Sequence, residues 1–465
     1  MVFSSLTFLF IYFPITLVVM KLSPLKYRNF CLLVLSLLFY SYGEPKYIII
    51  MLVSCIVDYF NGYMVDKYRD NKRIAKRFVI FSIVFNLGLL GFFKYYDFLV
   101  SILNSIGINI FSPLNISLPI GISFYTFQTM SYPIDVYRND AKVQKNLVNF
   151  SCYVTMFFQL IAGPIVRYKD IAAQLDHRIE NENGFYNGIK RFVCGLAKKV
   201  ILANNMGLIF EQINSLNNEN ISLLLAWLGI ICFALQIYFD FSGYSDMAIG
   251  LASMFGFDLL ENFNYPYIAS SITDFWRRWH ISLSSWFRDY VYIPLGGSRC
   301  SKARWMLNIM IVWSLTGLWH GASYNFILWG LYYGVLLMME KLFFKKYLDK
   351  LRGINYIITM LIVLVGWVFF NSSSVDQIIY MIRNLFGFNG SFSLILLNNQ
   401  GILYLLPYML IAIIGMGPWI NQLFIKIRNN TIGFTIYDIY LVVILVVCLI
   451  FLINNSYNPF IYFRF

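Results

Sequence analysis

The stretch Trp305–Met339 reads WMLNIMIVWSLTGLWHGASYNFILWGLYYGVLLMM. Two apolar runs flank the tetrapeptide WHGA at 319–322, and this pattern predicts a helical hairpin with His320 near its turn. An ionisable side chain at membrane depth costs several kcal/mol unless it is solvated or paired. His320 is therefore the first candidate functional residue of the chain.

Composition extends the membrane interpretation to the whole chain. Of its 465 residues, 59% are hydrophobic and 13% are charged, whereas soluble domains carry roughly 25% charged residues. Continuous apolar runs, several of them short or broken by Pro and Gly, predict helices rather than alternating strands. We predict an all-α polytopic membrane protein, with residues 1–465 forming a single membrane-embedded domain of about 11–13 transmembrane or re-entrant helices.

The net charge of +13 does not indicate nucleic-acid binding, because the basic residues lie in short loops between apolar runs. Cationic loops of this kind favour the cytoplasmic side of a membrane. The pattern places the N terminus outside, the cluster Arg277–Arg304 in the cytoplasm and His320 across the membrane from that cluster. The seven cysteines form no CxxC pair, so neither a disulfide framework nor a metal site is indicated. We also predict no bound cofactor.

Two interpretations of His320 remain open from the residues alone. Imidazole titrates near physiological pH and suits a general base that takes a proton from an acceptor hydroxyl. A structural histidine bonded to a backbone carbonyl is the alternative. The flanking Gly317 and Gly321 favour the first, because they allow close approach of a helix or a substrate.

His280 lies in the aromatic and basic segment FWRRWH at 275–280. With Arg277, Arg278 and Arg288 it can form an anion-binding site for a phosphate-bearing donor. A positive-inside membrane interface anchored by tryptophans explains the same composition equally well. The stretch 261–297 is too polar for a lipid-facing span, so we expect interfacial or partly inserted helices there.

Carboxylates within an aromatic run require partners. We expect Asp240, Asp246 and Asp258 to pair with arginines of the 277–288 cluster. The chain contains neither a Gly-x-Ser-x-Gly elbow nor a phosphate-binding loop of the Walker type, so a covalent serine mechanism is not indicated.

Over nearly its whole length the chain resembles the membrane-bound O-acyltransferase superfamily, and within it the integral membrane subunits of alginate O-acetyltransferases. The matching segments are FFQLIAGPIVR (157–167), YFDFSGYSDMA (238–248), ENFNYPY (261–267), DFWRRWHISLS (274–284), RDY (288–290), YIPLGG (292–297) and TGLWHGA (316–322). The resemblance implies about eleven or more helices around a central cavity. It implies that His320 is the essential catalytic residue and that His280 is the supporting one. Further candidate substrate-binding residues in these segments are Trp319, Trp276, Arg277, Arg278, Trp279, Arg288, Asp240 and Tyr244.

The resemblance also implies a function and its participants. We predict a multi-pass bacterial plasma-membrane enzyme that transfers an acetyl group from a cytoplasmic thioester, acetyl-CoA, for O-acetylation of an extracellular polysaccharide. Besides the lipid bilayer, the implied partner is an extracytoplasmic acetyltransferase of the Ser-Asp-His type. One alternative is D-alanyl transfer from an acyl-carrier protein to teichoic acid. That branch tends to have SGPIDR where this chain has AGPIVR at 162–167. A non-catalytic transporter or flippase is the other alternative.

Overall fold

A computed structural model describes residues 1–216, 221–348, 350–388, 402–428, 431–454 and 457–461. Within these ranges the chain forms helices and no strand, which confirms the all-α prediction. The principal helices are Phe8–Leu22, Arg28–Ser41, Ile48–Lys67, Lys72–Ser105, Ile122–Arg138, Leu147–Thr155, Tyr168–Asp176, Glu182–Asn214, Leu223–Met254, Ile272–Arg278, Ile281–Phe287, Lys302–His320, Tyr324–Leu348, Ile354–Asn371, Val375–Leu385, Leu406–Gly415, Trp419–Ile427 and Thr431–Asn454.

Seven helices in the described part of the chain are long and apolar enough to cross a membrane. The bent pair Leu406–Gly415 and Trp419–Ile427, which meets at 75°, would be an eighth span. Shorter or more polar helices, such as Leu147–Thr155 and Ile281–Phe287, account for further predicted elements. They are too short to span a bilayer on their own, which needs about 20 apolar residues.

The described residues divide into two compact units. The first comprises 1–192 and 245–260, and the second comprises 193–244 and 261–465. In the first unit, Ile48–Lys67 presents a buried Asp58 that accepts hydrogen bonds from Ser82 at 2.5 Å and Asn86 at 2.7 Å. All ten candidate site residues belong to the second unit.

The predicted hairpin around His320 is present in the second unit. Lys302–His320 ends at Gly321, and Tyr324–Leu348 begins three residues later. A Cβ atom at Gly317 would lie 2.3 Å from the Phe326 carbonyl oxygen, and one at Gly330 would lie 2.3 Å from that of Trp313. Two helices approach this closely only where side chains are absent. These glycines therefore fix the position of His320 at the end of the hairpin.

Candidate active site

A short helix holds the first part of the site. Ser271 caps Ile272–Arg278 by accepting a hydrogen bond from the Asp274 amide at 3.1 Å. The buried Glu340 carboxylate also accepts the Ile272 amide at 2.7 Å. Exposed helix N-termini carry partial positive charge, so a carboxylate there stabilises the helix. Glu340 thus anchors the helix that carries Trp276 and Arg277.

A sharp turn follows this helix at His280. Its φ of 43° lies in the left-handed region, which few residues other than glycine adopt. The turn allows Ile281–Phe287 to start in a new direction. Residues in strained backbone conformations cluster at functional sites.

His280 is buried and held by one amide side chain. Its Nδ1 lies 3.1 Å from Oδ1 of Asn262, which also accepts the Ser282 amide at 3.2 Å and the Ser282 hydroxyl at 2.8 Å. An amide oxygen only accepts, so Nδ1 of a neutral His280 donates its proton. The remaining nitrogen, Nε2, then carries the lone pair of the ring.

Burial also sets the charge of His280. The ring packs against Phe241 at 4.7 Å, and its exposure is 1%. Desolvation of the charged form lowers the pKa of His280 to about 3. The imidazole is therefore neutral at physiological pH.

Trp319 contacts both histidines. Its ring centroid lies 5.9 Å from that of His280 and 5.0 Å from that of His320. His320 is 3% exposed and also packs edge-on against Trp329 at 5.0 Å and Phe370 at 5.3 Å. An aromatic enclosure of this kind excludes water from the neighbourhood of the imidazole.

A cavity of about 300 Å³ reaches His280. Arg277 and Arg288 are exposed lining residues, whereas Trp276 and His280 line it as buried residues. The Lys302–His320 helix contributes Ile309, Val312, Trp313 and Thr316. Because a helix rises about 1.5 Å per residue, His320 lies roughly 6 Å along the axis beyond Thr316. The cavity thus combines two guanidinium groups with a buried imidazole and ends one helical turn short of the second imidazole.

Other predicted substrate contacts lie outside this cavity. Arg278 pairs with Asp274 of its own helix at 2.9 Å. Trp279 is buried in an aromatic core, 4.8 Å from Trp367 and 5.1 Å from Phe263. Arg278 and Trp279 therefore stabilise the segment that carries the site, and neither of them lines the cavity.

The expected pairing of Asp240, Asp246 and Asp258 with arginines 277–288 is wrong. Asp240 pairs with Lys199 at 2.7 Å, and Asp246 pairs with Arg191 at 2.9 Å. Asp258 donates its backbone amide to Gln174 at 2.7 Å. The cations come from Glu182–Asn214, a neighbouring helix that sequence spacing does not connect to these carboxylates.

Asp240 and Tyr244 instead contact the end of the described chain. Asp240 Oδ2 accepts the Ile461 amide at 2.8 Å, and the Tyr244 ring lies 4.6 Å from that of Phe460. Neither residue lines the cavity beside His280. Sequence reasoning also missed Asn262, Glu340 and Lys199, whose roles depend on partners 18 to 68 residues away. Asn262 did fall within a segment used for the family resemblance.

Comparison with known proteins places these residues in a family. The sequence model of the MBOAT, membrane-bound O-acyltransferase family matches residues 136–375, which include both histidines. The chain is 41% identical over 433 residues to the probable alginate O-acetylase AlgI of Pseudomonas aeruginosa, covering 91% of this chain and 83% of the relative.

Two further relatives carry different names. The peptidoglycan O-acetyltransferase of Helicobacter pylori is 32% identical over 390 residues, covering 77% of this chain and 74% of the relative. The teichoic acid D-alanyltransferase of Bacillus subtilis is 32% identical over 253 residues, covering 52% of this chain and 63% of the relative.

Proposed function

Because the chain belongs to the membrane-bound O-acyltransferase family, we propose that it carries an acetyl group from acetyl-CoA to a hydroxyl of a cell-surface polysaccharide. The chain is a multi-pass membrane O-acetyltransferase. The proposal names acetyl-CoA as the donor and a surface polysaccharide as the acceptor. It also assigns the plasma membrane as the location and names the residues that act. The observation that carries them is the cavity with Arg277 and Arg288 at its exposed part, His280 at its buried part and Trp319 joining His280 to His320.

The donor enters from the end of the cavity that bears the arginines. Guanidinium groups bind phosphates through paired hydrogen bonds, and CoA carries several phosphates. Cationic loops favour the cytoplasm, so this end faces the compartment that contains CoA. The apolar wall at Ile309 and Val312 then receives the uncharged arm of the donor.

His320 acts as the general base. It takes the proton from the acceptor hydroxyl while that oxygen attacks the thioester carbonyl carbon. An ester bond forms, the carbon–sulfur bond breaks, and the leaving thiolate takes up the proton that His320 removed, which regenerates the neutral imidazole. His280, neutral and oriented by Asn262, supports this step from the donor side. Exclusion of water by the aromatic rings limits hydrolysis of the thioester.

The decisive test is His320→Ala in the full-length protein, with His177→Ala as the matched control. His177 is the third histidine of the chain, is exposed and lies outside the second unit. We expect His320→Ala to lower acetyl transfer by roughly 10²–10⁴-fold, the usual contribution of a positioned acid–base group. Normal membrane abundance of both variants must be verified. Wild-type polymer acetylation by His320→Ala would overturn the assignment.

Donor identity is tested separately with labelled acetyl-CoA and with a D-alanyl carrier protein. Arg277→Ala and Arg288→Ala should raise the KM for acetyl-CoA, whereas Arg299→Ala, an exposed arginine outside the cavity lining, should not. The D-alanyltransferase relatives match about half of this chain, and the alginate O-acetylases match most of it. Turnover of the carrier protein alone would favour the D-alanyl branch. A lack of turnover with either donor would favour a transporter.

The extracytoplasmic acetyltransferase of the Ser-Asp-His type remains part of the proposal. It would receive the acetyl group or assist its delivery to the polymer. Acetylation of the surface polymer that requires both proteins in reconstituted vesicles would support this partner. Full transfer by the present chain alone would remove the need for it.

A further inference from the structure

Two tryptophans near the histidines bury indole N–H groups that have no acceptor. Trp276 is 8% exposed and Trp329 is 1% exposed. The Nε1 atom of each ring has no hydrogen-bond partner among the residues that the structure describes. An indole N–H group can only donate, and a buried donor without an acceptor indicates a polar ligand or water. The two rings therefore offer hydrogen bonds to an acceptor atom that the protein itself does not supply.

These two indoles lie between the cavity and the general base. Trp276 lines the cavity beside His280. Its ring centroid lies 5.5 Å from that of Trp329, and the Trp329 ring lies 5.0 Å from that of His320. Along the helix that ends at His320, the cavity lining stops at Thr316. The indole rings thus occupy the space that an acyl group passes between the cavity and His320.

One helix positions both tryptophans. Tyr324–Leu348 carries Trp329 directly, and Glu340 follows on the same helix about three turns later. The Glu340 carboxylate accepts the Ile272 amide at 2.7 Å, at the start of the short helix that bears Trp276. The spacing between the two indoles is therefore fixed by the same rigid element, as a preorganised pair of donors requires.

Other polar groups of the cavity lining already have partners. The Thr316 hydroxyl donates to a backbone carbonyl oxygen of the preceding turn at 2.8 Å. The Ser284 hydroxyl donates to the backbone carbonyl oxygen of Trp276 at 3.4 Å. Nδ1 of the neutral His280 donates to an amide oxygen, which leaves Nε2 as an acceptor only. These groups therefore do not supply the donor that a negatively charged oxygen needs.

We propose that Nε1 of Trp276 and Nε1 of Trp329 donate hydrogen bonds to the carbonyl oxygen of the thioester and stabilise the negative charge that develops on it. This inference rests on the proposed transfer reaction. When the acceptor oxygen bonds to the carbonyl carbon, one electron pair of the C=O bond moves onto the carbonyl oxygen. The charge leaves that oxygen when the carbon–sulfur bond breaks, and the thiolate takes the proton from His320. The indoles transfer no proton, and fixed donors of this kind are most effective where water is excluded.

The first test replaces Trp329 with 3-benzothienylalanine in the full-length protein, and Trp276 in a separate protein. This side chain has the shape of indole but carries sulfur in place of the N–H group, so the packing is retained and the donor is lost. Loss of one donor to a developing oxyanion lowers kcat by roughly 10²–10³-fold. We expect a decrease of that size at each position. The KM for acetyl-CoA should change little, because the hydrogen bond strengthens in the transition state.

Trp227 provides the matched control. Its indole N–H donates to the Leu385 carbonyl oxygen at 2.9 Å, and it does not line the cavity. The same replacement at Trp227 should lower the Tm slightly and leave kcat unchanged. A wild-type kcat after replacement of both Trp276 and Trp329 would overturn the inference, and so would a raised KM with an unchanged kcat.

The carbonyl stretch of the bound donor is a second readout, which a merely structural role would not change. Acetyl-CoA with ¹³C at the carbonyl carbon is bound to the His320→Ala variant, which leaves the thioester intact, and infrared difference spectra are recorded. A hydrogen bond weakens the C=O bond and lowers its stretching frequency. Replacement of Trp276 or Trp329 in this background should therefore raise the frequency, whereas replacement of Trp227 should not. An unchanged frequency after both replacements would contradict the inference.

Failure of this inference is distinct from failure of the proposed function. If the parent protein transfers acetyl groups and neither replacement alters kcat or the carbonyl frequency, only the role of the two tryptophans is overturned. If the parent protein neither binds nor turns over acetyl-CoA, the proposed donor is overturned and the role of the tryptophans falls with it.

Discussion

Asn262→Leu removes the acceptor that holds His280. Three hydrogen bonds converge on Asn262 Oδ1, all between buried residues. Each contributes about 1 kcal/mol net, so about 3 kcal/mol of stability is lost, and more if the buried donors stay unsatisfied. The entropy of unfolding is about 2.1 cal/mol/K per residue, and the chain has 465 residues. Dividing the lost free energy by this total entropy gives an expected decrease of about 3 °C in Tm. Acetyl transfer should fall further, by roughly 10–100-fold, because His280 loses its fixed tautomer.

The assay measures the Tm of the detergent-solubilised protein together with the transfer rate at equal amounts of folded protein. Asn264→Leu is the control, since it makes the same substitution at an exposed position of the same segment. Asn262→Asp distinguishes orientation from stability. It keeps the acceptor and adds a negative charge, which should raise the pKa of His280 from about 3 and shift the acid limb of the pH–rate profile to higher pH.

A wild-type Tm and transfer rate for Asn262→Leu would refute the role given to this hydrogen-bond centre. A lowered Tm with an unchanged rate per folded molecule would show that Asn262 is only structural. An unshifted profile for Asn262→Asp would mean that protonation of His280 does not limit the reaction.

Three further outcomes are expected, each measured as a change in Tm. Gly317→Ala should destabilise the protein by about 1–3 kcal/mol through overpacking, whereas Gly88→Ala, with open space around the added Cβ, should not; equal effects would contradict the hairpin packing. Lys199→Met should lower the free energy of unfolding by about 3–5 kcal/mol, because it leaves a buried carboxylate unpaired. The double variant Lys199→Met/Asp240→Leu should recover part of this loss. If the effects of the two single substitutions simply add in the double variant, the two residues do not act as a pair. Stability should decline as pH falls below about 6.5, because an unfolded His280 binds a proton that the buried ring, with its lowered pKa, does not; an identical decline in His280→Gln would assign it to other groups.

The local sequence pattern was sufficient to predict much of the candidate site. The apolar runs on either side of WHGA predicted the hairpin, because hydrophobic length and breaks are properties of neighbouring residues. Arg277, Arg288, Trp276 and His280 were predicted as a group and line one cavity. Arg278 and Trp279 belong to the same segment but point to other partners. The helix that carries these residues is only seven residues long, so helical periodicity does not tell which of them line the cavity and which contact other partners.

Partners distant in sequence required the tertiary structure. Asp240 was expected to pair with arginines 277–288 and instead pairs with Lys199, since the choice between cations depends on which helices pack side by side. The sequence does not mark Asn262 as a hydrogen-bond centre, because an asparagine is equally common in an ordinary polar loop. The sequence likewise does not indicate a role for Glu340, which becomes evident only from its hydrogen bond to the N-terminus of Ile272–Arg278.

By itself, the sequence determined that this protein is an all-helical membrane protein, that His320 closes a hairpin, and which family its motifs resemble. These properties follow from hydropathy and from residue order, which are local. The tertiary structure decided which arginines line the cavity beside His280, which nitrogen of His280 donates, and that Asp240 pairs with Lys199. Those depend on distances between segments, and packing of helices far apart in the chain sets such distances.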